Sequence, residues 1–325
     1  MKETIWHWRP PGPAENNPLF LWPPDLAKTI RWYATNWKPL SEYFVFVALA
    51  CLSWFAFQPD LQAIRSAELD GSSAKWFAMI YARNLLYTLL FAGGFHLYFY
   101  TWRLQGTDYK YEQRDPTELS SRFTFGHQVY DNMFWTLLSG VSIWTLYEIV
   151  LLWAVANGHA PWTDWNTNTI WFCLLFLLIP LWLSLHFYVG HRVLHWKPLY
   201  LVSHAVHHRN VRTGPWSGLS MHPIEHAIYL SSVFIHFFVP SHPIHIFFHF
   251  YCLTISAIYG HVGYDRLRIG KKASLAIAHF HHQLHHRHFE CNYGAAELPC
   301  DVWFNSFDDG SAQARERLKS RRYQR

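Results

Sequence analysis

The stretch IWFCLLFLLIPLWLSLHFYVGHRVLHWKPLYLVSHAVHH, residues 170–208, changes character halfway along. Residues 170–190 carry no Asp, Glu, Lys or Arg, and a helix of that length rises roughly 30 Å, the thickness of a bilayer's hydrocarbon core. Immediately afterwards His195 follows His191 by four, and His207 and His208 follow His204 by three and four, the spacing that puts side chains on one face of a helix. An apolar span that ends in a row of imidazoles places polar groups at a membrane boundary, where they are costly unless they serve a function.

Working outward, the rest of the chain supports a membrane reading. Charged residues make up 15% of its 325 residues and aromatics 19%, against about 25% charged in ordinary globular domains. Disorder, collagen and coiled coil are excluded by that composition. Long apolar runs cover 40–57, 85–102 and 133–156, the last interrupted by Glu148, in addition to 170–190 around Pro180. Two shorter runs, 227–239 and 244–259, are separated by PSHP at 240–243 and read as tilted short spans or a re-entrant pair. Mean hydropathy is close to zero because these runs are averaged with polar stretches.

Loop charges give the orientation, since Lys and Arg concentrate on the cytoplasmic side. Lys2, Arg9, Lys28, Arg31 and Lys38 precede the first run, and Arg65 and Lys75 lie in the first loop. Arg103, Lys110, Arg114 and Arg122 lie in the second loop, and none in 157–169. The alternation predicts a cytoplasmic N-terminus, with everything after residue 190 beginning on the cytoplasmic side. Residues 1–39, rich in Pro and without a signal-type apolar core, read as a cytoplasmic leader. Residues 40–310 read as one membrane-embedded catalytic domain, and 311–325 as a basic tail flanking the membrane rather than binding nucleic acid. The five cysteines show no CxxC spacing, which argues against a disulfide scaffold or a zinc ribbon. The expected fold is all-α: a bundle of four long spans plus a short or re-entrant hairpin, with a cytoplasmic helical cap.

Of 23 His, 19 lie between His186 and His288. Three clusters stand out: HRVLH (His191, His195), HAVHH (His204, His207, His208) and HHQLHH (His281, His282, His285, His286). Imidazole suits zinc, copper, iron and nickel, and eight inward-facing imidazoles exceed the four ligands of a tetrahedral ion. The arithmetic points to a two-metal centre. Zinc there would make a hydrolase by acidifying water, whereas paired iron would attack the C–H bonds that a lipid chiefly offers.

These motifs resemble the fatty acid hydroxylase and sterol desaturase superfamily of integral-membrane non-haem di-iron enzymes. The resemblance runs over about 181–310 and includes HPIE at 222–225, GHVGYD at 260–265 and CNYG at 291–294. It implies two irons held by His191, His195, His204, His207, His208, His282, His285 and His286, with His222 and His261 as further ligands. His186 and His281 have possible counterparts as ligands, and Glu225 and Asp265 are candidate carboxylates behind the ligating imidazoles. It further implies dioxygen as co-substrate and hydroxylation or desaturation of an unactivated C–H bond in a membrane lipid, of sterol or fatty-acyl type. No HPGG haem signature occurs, so electrons would come from a separate b-type cytochrome or ferredoxin with its reductase. The competing readings are a His-rich membrane metal transporter, which would place acids at membrane depth where only Glu148 stands, and a zinc hydrolase, which would place an acid among the His clusters, where there is none.

Overall fold

The computed structural model describes residues 7–57, 61–66, 71–116, 119–270 and 273–322; Lys2 of the charge reading and the last three residues of the basic tail lie outside the described residues. The chain is overwhelmingly helical. Helix α1 (Leu26–Asn36) is capped by Asp25, whose side chain accepts from Lys28 N at 2.9 Å. It is followed by α2 (Glu42–Ala56), α3 (Leu61–Ser66) and α4, which begins as Gly71–Thr88 and continues through two π-helical turns to residue 101. Helix α5 runs Gln128–Ala156 and α6 Thr169–Leu194. Residues 197–208 then turn back in short pieces that end in α7 (Ala205–His208). Helix α8 (Pro223–Leu230) leads through a 3-10 segment, Ser231–Phe237, into α9 (Pro243–Gly260). A two-stranded antiparallel hairpin, β1 (Arg266–Ile269) with β2 (Ala273–Ala276), precedes α10 (Phe280–His288). Two further helices, α11 (Cys300–Trp303) and α12 (Ala312–Arg322), close the described chain. The hairpin is the one sheet among the described residues and departs from a purely α expectation.

By length and apolarity three helices qualify to cross a membrane: α5, α6 and α9. Four long spans were expected, and the difference has two causes. The run at 40–57 folds as α2, whose 15 residues rise only about 22 Å. The run at 85–102 belongs to α4, whose first half brings in Lys75, Arg83 and Asn84. The expected hairpin is also unequal. Its first limb breaks into the 3-10 segment, whereas its second is the full 18-residue α9.

Helix α9 is buried on every side except at Ser256 and Ala257, the signature of a helix at the centre of a bundle. It packs against α2, α5 and α6, and Phe247, Phe248, Phe250 and Tyr251 are wholly enclosed in the core it shares with them. Pro243 sits in its first turn, where proline costs no hydrogen bond.

The acid at membrane depth has a partner. Arg83 on α4 donates to Glu148 on α5, both side chains being about 1% exposed. Asn84 Nδ2 donates to the second Glu148 oxygen at 3.1 Å and to Thr145 Oγ1 at 3.2 Å, and the guanidinium lies 4.9 Å over the Phe247 ring of α9. Removing one member leaves a bare charge in the bundle, whereas removing both does not. Arg83→Met should therefore lower the stability of the detergent-purified protein by about 3–5 kcal/mol, and Arg83→Met with Glu148→Leu should recover most of it. A thermal-unfolding double-mutant cycle showing additive losses would contradict the pairing.

Candidate metal centre

The imidazoles are delivered by helix ends. Helix α6 carries His191 in its last turn and ends on His195, so the two rings lie on one face with centroids 5.0 Å apart. A π-helical turn, Tyr200–His204, feeds α7 and brings His204, His207 and His208 to the same side. Helix α9 ends on His261, and α10 presents His282, His285 and His286.

These residues form two adjoining groups. One comprises His191, His195, His204, His208 and His285, the other His207, His261, His282 and His286, and within each the candidate donor atoms lie within 4.8 Å of one another. In the second group the Nε2 atoms are closely spaced: His261 to His286 2.9 Å, His261 to His282 3.2 Å, His282 to His286 3.2 Å and His207 to His261 3.3 Å. In the first, His208 Nε2 lies 3.1 Å from His195 Nε2 and 3.0 Å from His285 Nε2. Metal–nitrogen bonds of about 2.1 Å put neighbouring ligand atoms about 3.0–3.4 Å apart, the spacing seen here. The groups touch across His208 and His286, whose ring centroids are 5.1 Å apart.

The outward nitrogens decide the tautomers. His191 Nδ1 donates to Tyr293 O at 2.7 Å, His285 Nδ1 to Cys291 O at 2.6 Å and His261 Nδ1 to Ala257 O at 2.7 Å. A neutral imidazole has one N–H, so each of these rings turns a bare lone pair inward. Burial, aided by the neighbouring imidazoles, holds His207, His208, His282, His285 and His286 well below the usual histidine range. It brings His261 down to about 4. The inward Nε2 lone pairs of His191, His285 and His261 are available to a cation. The donor set therefore fits two imidazole-loving ions.

His204 Nδ1 lies 2.8 Å from Glu225 Oε1, and both side chains are about 2% exposed. Burial pushes the Glu225 carboxyl well above its usual range; a cation on the far side of His204 would offset that cost, as in carboxylate–histidine–metal arrangements. His204 Nε2 and His191 Nε2 are buried and have no partner among the described residues.

Other candidate residues lie apart. His222 belongs to neither group: it caps α8, its Nδ1 accepting from Ile224 N at 3.2 Å, beside Trp135. His186, more than one turn before His191, reaches Ser231 Oγ at 3.1 Å. His281 projects away from its neighbour His282, as consecutive helical residues must, and stacks on His279. Asp265 accepts from the Tyr111 hydroxyl at 2.8 Å and pairs with Arg266 rather than with a histidine. The second rank of histidines is satisfied internally: His236 bridges Ser241 Oγ (2.7 Å) and His249 (3.1 Å), and His249 reaches Ser232 Oγ (3.0 Å).

Sequence reasoning missed the role of 291–294. This loop contributes backbone carbonyls, Cys291 O and Tyr293 O, which no side-chain pattern reveals. Asp301 secures it, accepting from Tyr293 N at 2.9 Å, Gly294 N at 2.7 Å and Ser306 Oγ at 2.6 Å. Asn292, in the left-handed region at φ 51°, ties it to His281 O and Asp308 O, each at 2.8 Å. The CNYG motif was the available signal.

Residues 176–306 match the family model described as fatty acid hydroxylase. The Delta(7)-sterol 5(6)-desaturase ERG3B of Gibberella zeae is 32% identical over 139 residues, which is 42% of this chain and 42% of that protein. The alignment thus spans less than half of the curated relative. No solved structure matches. The resemblance to the fatty acid hydroxylase and sterol desaturase superfamily holds over these residues.

Two outcomes follow for the purified protein. His207→Ala and His282→Ala should each lose at least one of about two bound ions per chain, whereas His222→Ala and His186→Ala should keep both, measured by elemental mass spectrometry. The unfolded chain takes protons near pH 6.5, but burial holds the clustered imidazoles well below that range, His261 at about 4. The unfolded state therefore binds more protons as the pH is lowered through that range, and stability decreases as the pH decreases. Metal-stripped protein should lose thermal stability steadily from pH 7 to pH 5; a flat midpoint would refute the neutral-imidazole assignment.

Proposed function

We propose that this chain is an oxygen-dependent di-iron oxidoreductase that hydroxylates or desaturates an unactivated C–H bond of a membrane lipid. The observation that carries the reading is that both imidazole groups open onto one cleft with an apolar side. His191, His204, His207, His261 and His282 form one of its walls. Pro180, Leu183 and Phe187 of α6, Ile228 and Tyr229 of α8 and Cys252 of α9 line its apolar side. Helices α6 and α9, both long and apolar enough to span a bilayer, thus lead from membrane depth to the ligands at their ends.

The chain's own residues orient and exclude. Phe187 stacks on His191 with centroids 5.0 Å apart and covers the ligand from the apolar side. Tyr229, whose hydroxyl donates to Leu253 O at 2.7 Å, holds α8 against α9 across the cleft. When bound, an iron pair held by these imidazoles and reduced by an external donor would activate dioxygen, the oxidant, toward an unreactive C–H bond. The protein side positions that bond and keeps water out of the apolar wall.

The alternatives have weaker support. A transport path would use acids at membrane depth, and Glu148 is committed to Arg83. A zinc hydrolase would place a general-base carboxylate among the ligands, and Glu225 is instead committed to His204 Nδ1. The loop charges support a site on the cytoplasmic face, and the resemblance implies a separate electron donor, a b-type cytochrome or a ferredoxin with its reductase.

Iron-loaded protein supplied with a reductase system, dioxygen and membrane lipid extract should yield a lipid that has gained one oxygen or lost two hydrogens by mass spectrometry. Stoichiometric zinc with no iron would remove the reading. Glu225→Ala should weaken iron binding about 10–100-fold, with a parallel loss of product.

A further inference from the structure

Helix α1 (Leu26–Asn36) presents three different faces. At 3.6 residues per turn, Leu26, Ile30 and Ala34 fall within about 80° of one another, and all three are exposed. Leu26 is 73% and Ile30 62% exposed, and Trp22, one turn before the helix, is 91% exposed. Lys28, Arg31 and Thr35 form a second exposed stripe beside the first. The remaining side, with Thr29 buried and Tyr33 and Asn36 half-buried, is turned to the protein.

That inner side is tied to the cleft. Asn17 Nδ2 donates to the Tyr33 hydroxyl at 3.0 Å, while Asn17 N donates to Ala296 O at 2.9 Å, and Ala296 is one of the residues lining the cleft. Trp37, directly after the helix, stacks on Tyr43 of α2 with centroids 5.2 Å apart. Otherwise α1 packs mainly on the 3-10 turn Pro18–Phe20. These ties hold α1 beside the lip of the cleft, alongside the long helices rather than among them.

A helix turned only to water would not gather Trp22, Leu26 and Ile30 on its outer side, since apolar patches mark contact surfaces. Between residues 22 and 40 the chain holds three cations, Lys28, Arg31 and Lys38, against the single carboxylate of Asp25. Asp25 is already engaged, capping α1 through Lys28 N and lying 3.3 Å from Lys28 Nζ. An apolar face bordered by cations is the pattern of a helix lying in the plane of a membrane surface, with its apolar side in the acyl boundary and its cations among lipid phosphates. The three helices long and apolar enough to span a bilayer put such a surface within reach.

We propose that α1, together with Trp22, is an interfacial helix that docks on an anionic lipid surface: Trp22, Leu26 and Ile30 enter the acyl boundary, and Lys28, Arg31 and Lys38 meet lipid phosphates. The proposal stands apart from the oxidoreductase reading, since it uses neither metal nor turnover. It gives residues 22–38, expected as part of a cytoplasmic leader, a place in the membrane surface, joined through Asn17 to the lip of the cleft.

The test follows the depth of α1 in the full-length protein, reconstituted into nanodiscs of phosphatidylcholine with or without phosphatidylglycerol. Cys51→Ala and Cys173→Ala remove the thiols that are not buried, and an NBD fluorophore is attached at Ile30→Cys or, on the basic stripe, at Thr35→Cys. In discs with phosphatidylglycerol, lipids carrying a doxyl quencher on the acyl chain should quench the probe at 30 about threefold more than the probe at 35. Lys28→Glu with Arg31→Glu should cut quenching at 30 about twofold or more while leaving the thermal midpoint unchanged, which shows that the variant is folded. Discs of phosphatidylcholine alone should have the same effect on the helix with its native charges. Equal quenching at 30 and 35, or none at either, would overturn the interfacial placement. Quenching at 30 that is the same with and without phosphatidylglycerol would overturn the anionic preference. A probe at 30 that escapes the lipid quencher only in discs holding two chains would assign the face to a second copy and overturn the proposal.

Discussion

The rest of the structure depends on gathering nine imidazoles in a buried interior. Their inward nitrogens stand about 3 Å apart, and the outward nitrogens of several are spent on backbone carbonyls or on Glu225. Protonating the rings would create buried like charges, which the interior disfavours. A bound cation would take up the inward lone pairs without adding a proton. The helices, the loop 291–294 and the hydrogen bonds behind the rings can all be understood as the framework that keeps these rings pointing at one another.

The framework is distributed through the chain. Ligands arrive from α6, from the segment ending in α7, from the end of α9 and from α10, and each contributes through a helix terminus or a short helix. Terminal positions suit the purpose because the last turn of a helix leaves carbonyls unpaired. The carbonyl of Ala257, four residues before His261, is one such group, and it accepts from His261 Nδ1. Backbone that would otherwise need a cap thus orients a ligand. Asp301 performs a comparable service one step further out, collecting the amides of 293 and 294 so that the Tyr293 carbonyl faces His191.

How much of this was legible in the sequence follows from the range of each signal. Helical spacing is a local rule, and it put His191 and His195 on one face, but it also grouped His282 with His285 and His286, and His204 with His207 and His208, whereas the structure sends His285 to the first group and His207 to the second; His281 stacks on His279 instead. His261 could be placed beside them only by resemblance, since nothing local connects the end of α9 to α10. His222 shows the limit of such a transfer: its neighbours Pro223 and Ile224 start a helix there, and its ring is used as the cap. The apolar runs located the helices but not their lengths. Residues 40–57 lost three positions to the turns that bound α2, and 85–102 was absorbed into a longer helix whose Arg83 the apolarity scan passed over. Arg83 lies just outside the run, and its meaning depends on Glu148, sixty-five residues away.

A ligand set made of histidine alone has an electrostatic consequence. Carboxylate ligands would neutralise two divalent ions, whereas imidazoles leave their full charge in place. Glu225, hydrogen-bonded to His204, would supply one compensating negative charge, and it lines the same cleft. The charge left over would face a cleft whose apolar side is formed by Leu183, Phe187 and Ile228, so a neutral lipid fits it better than a cationic one.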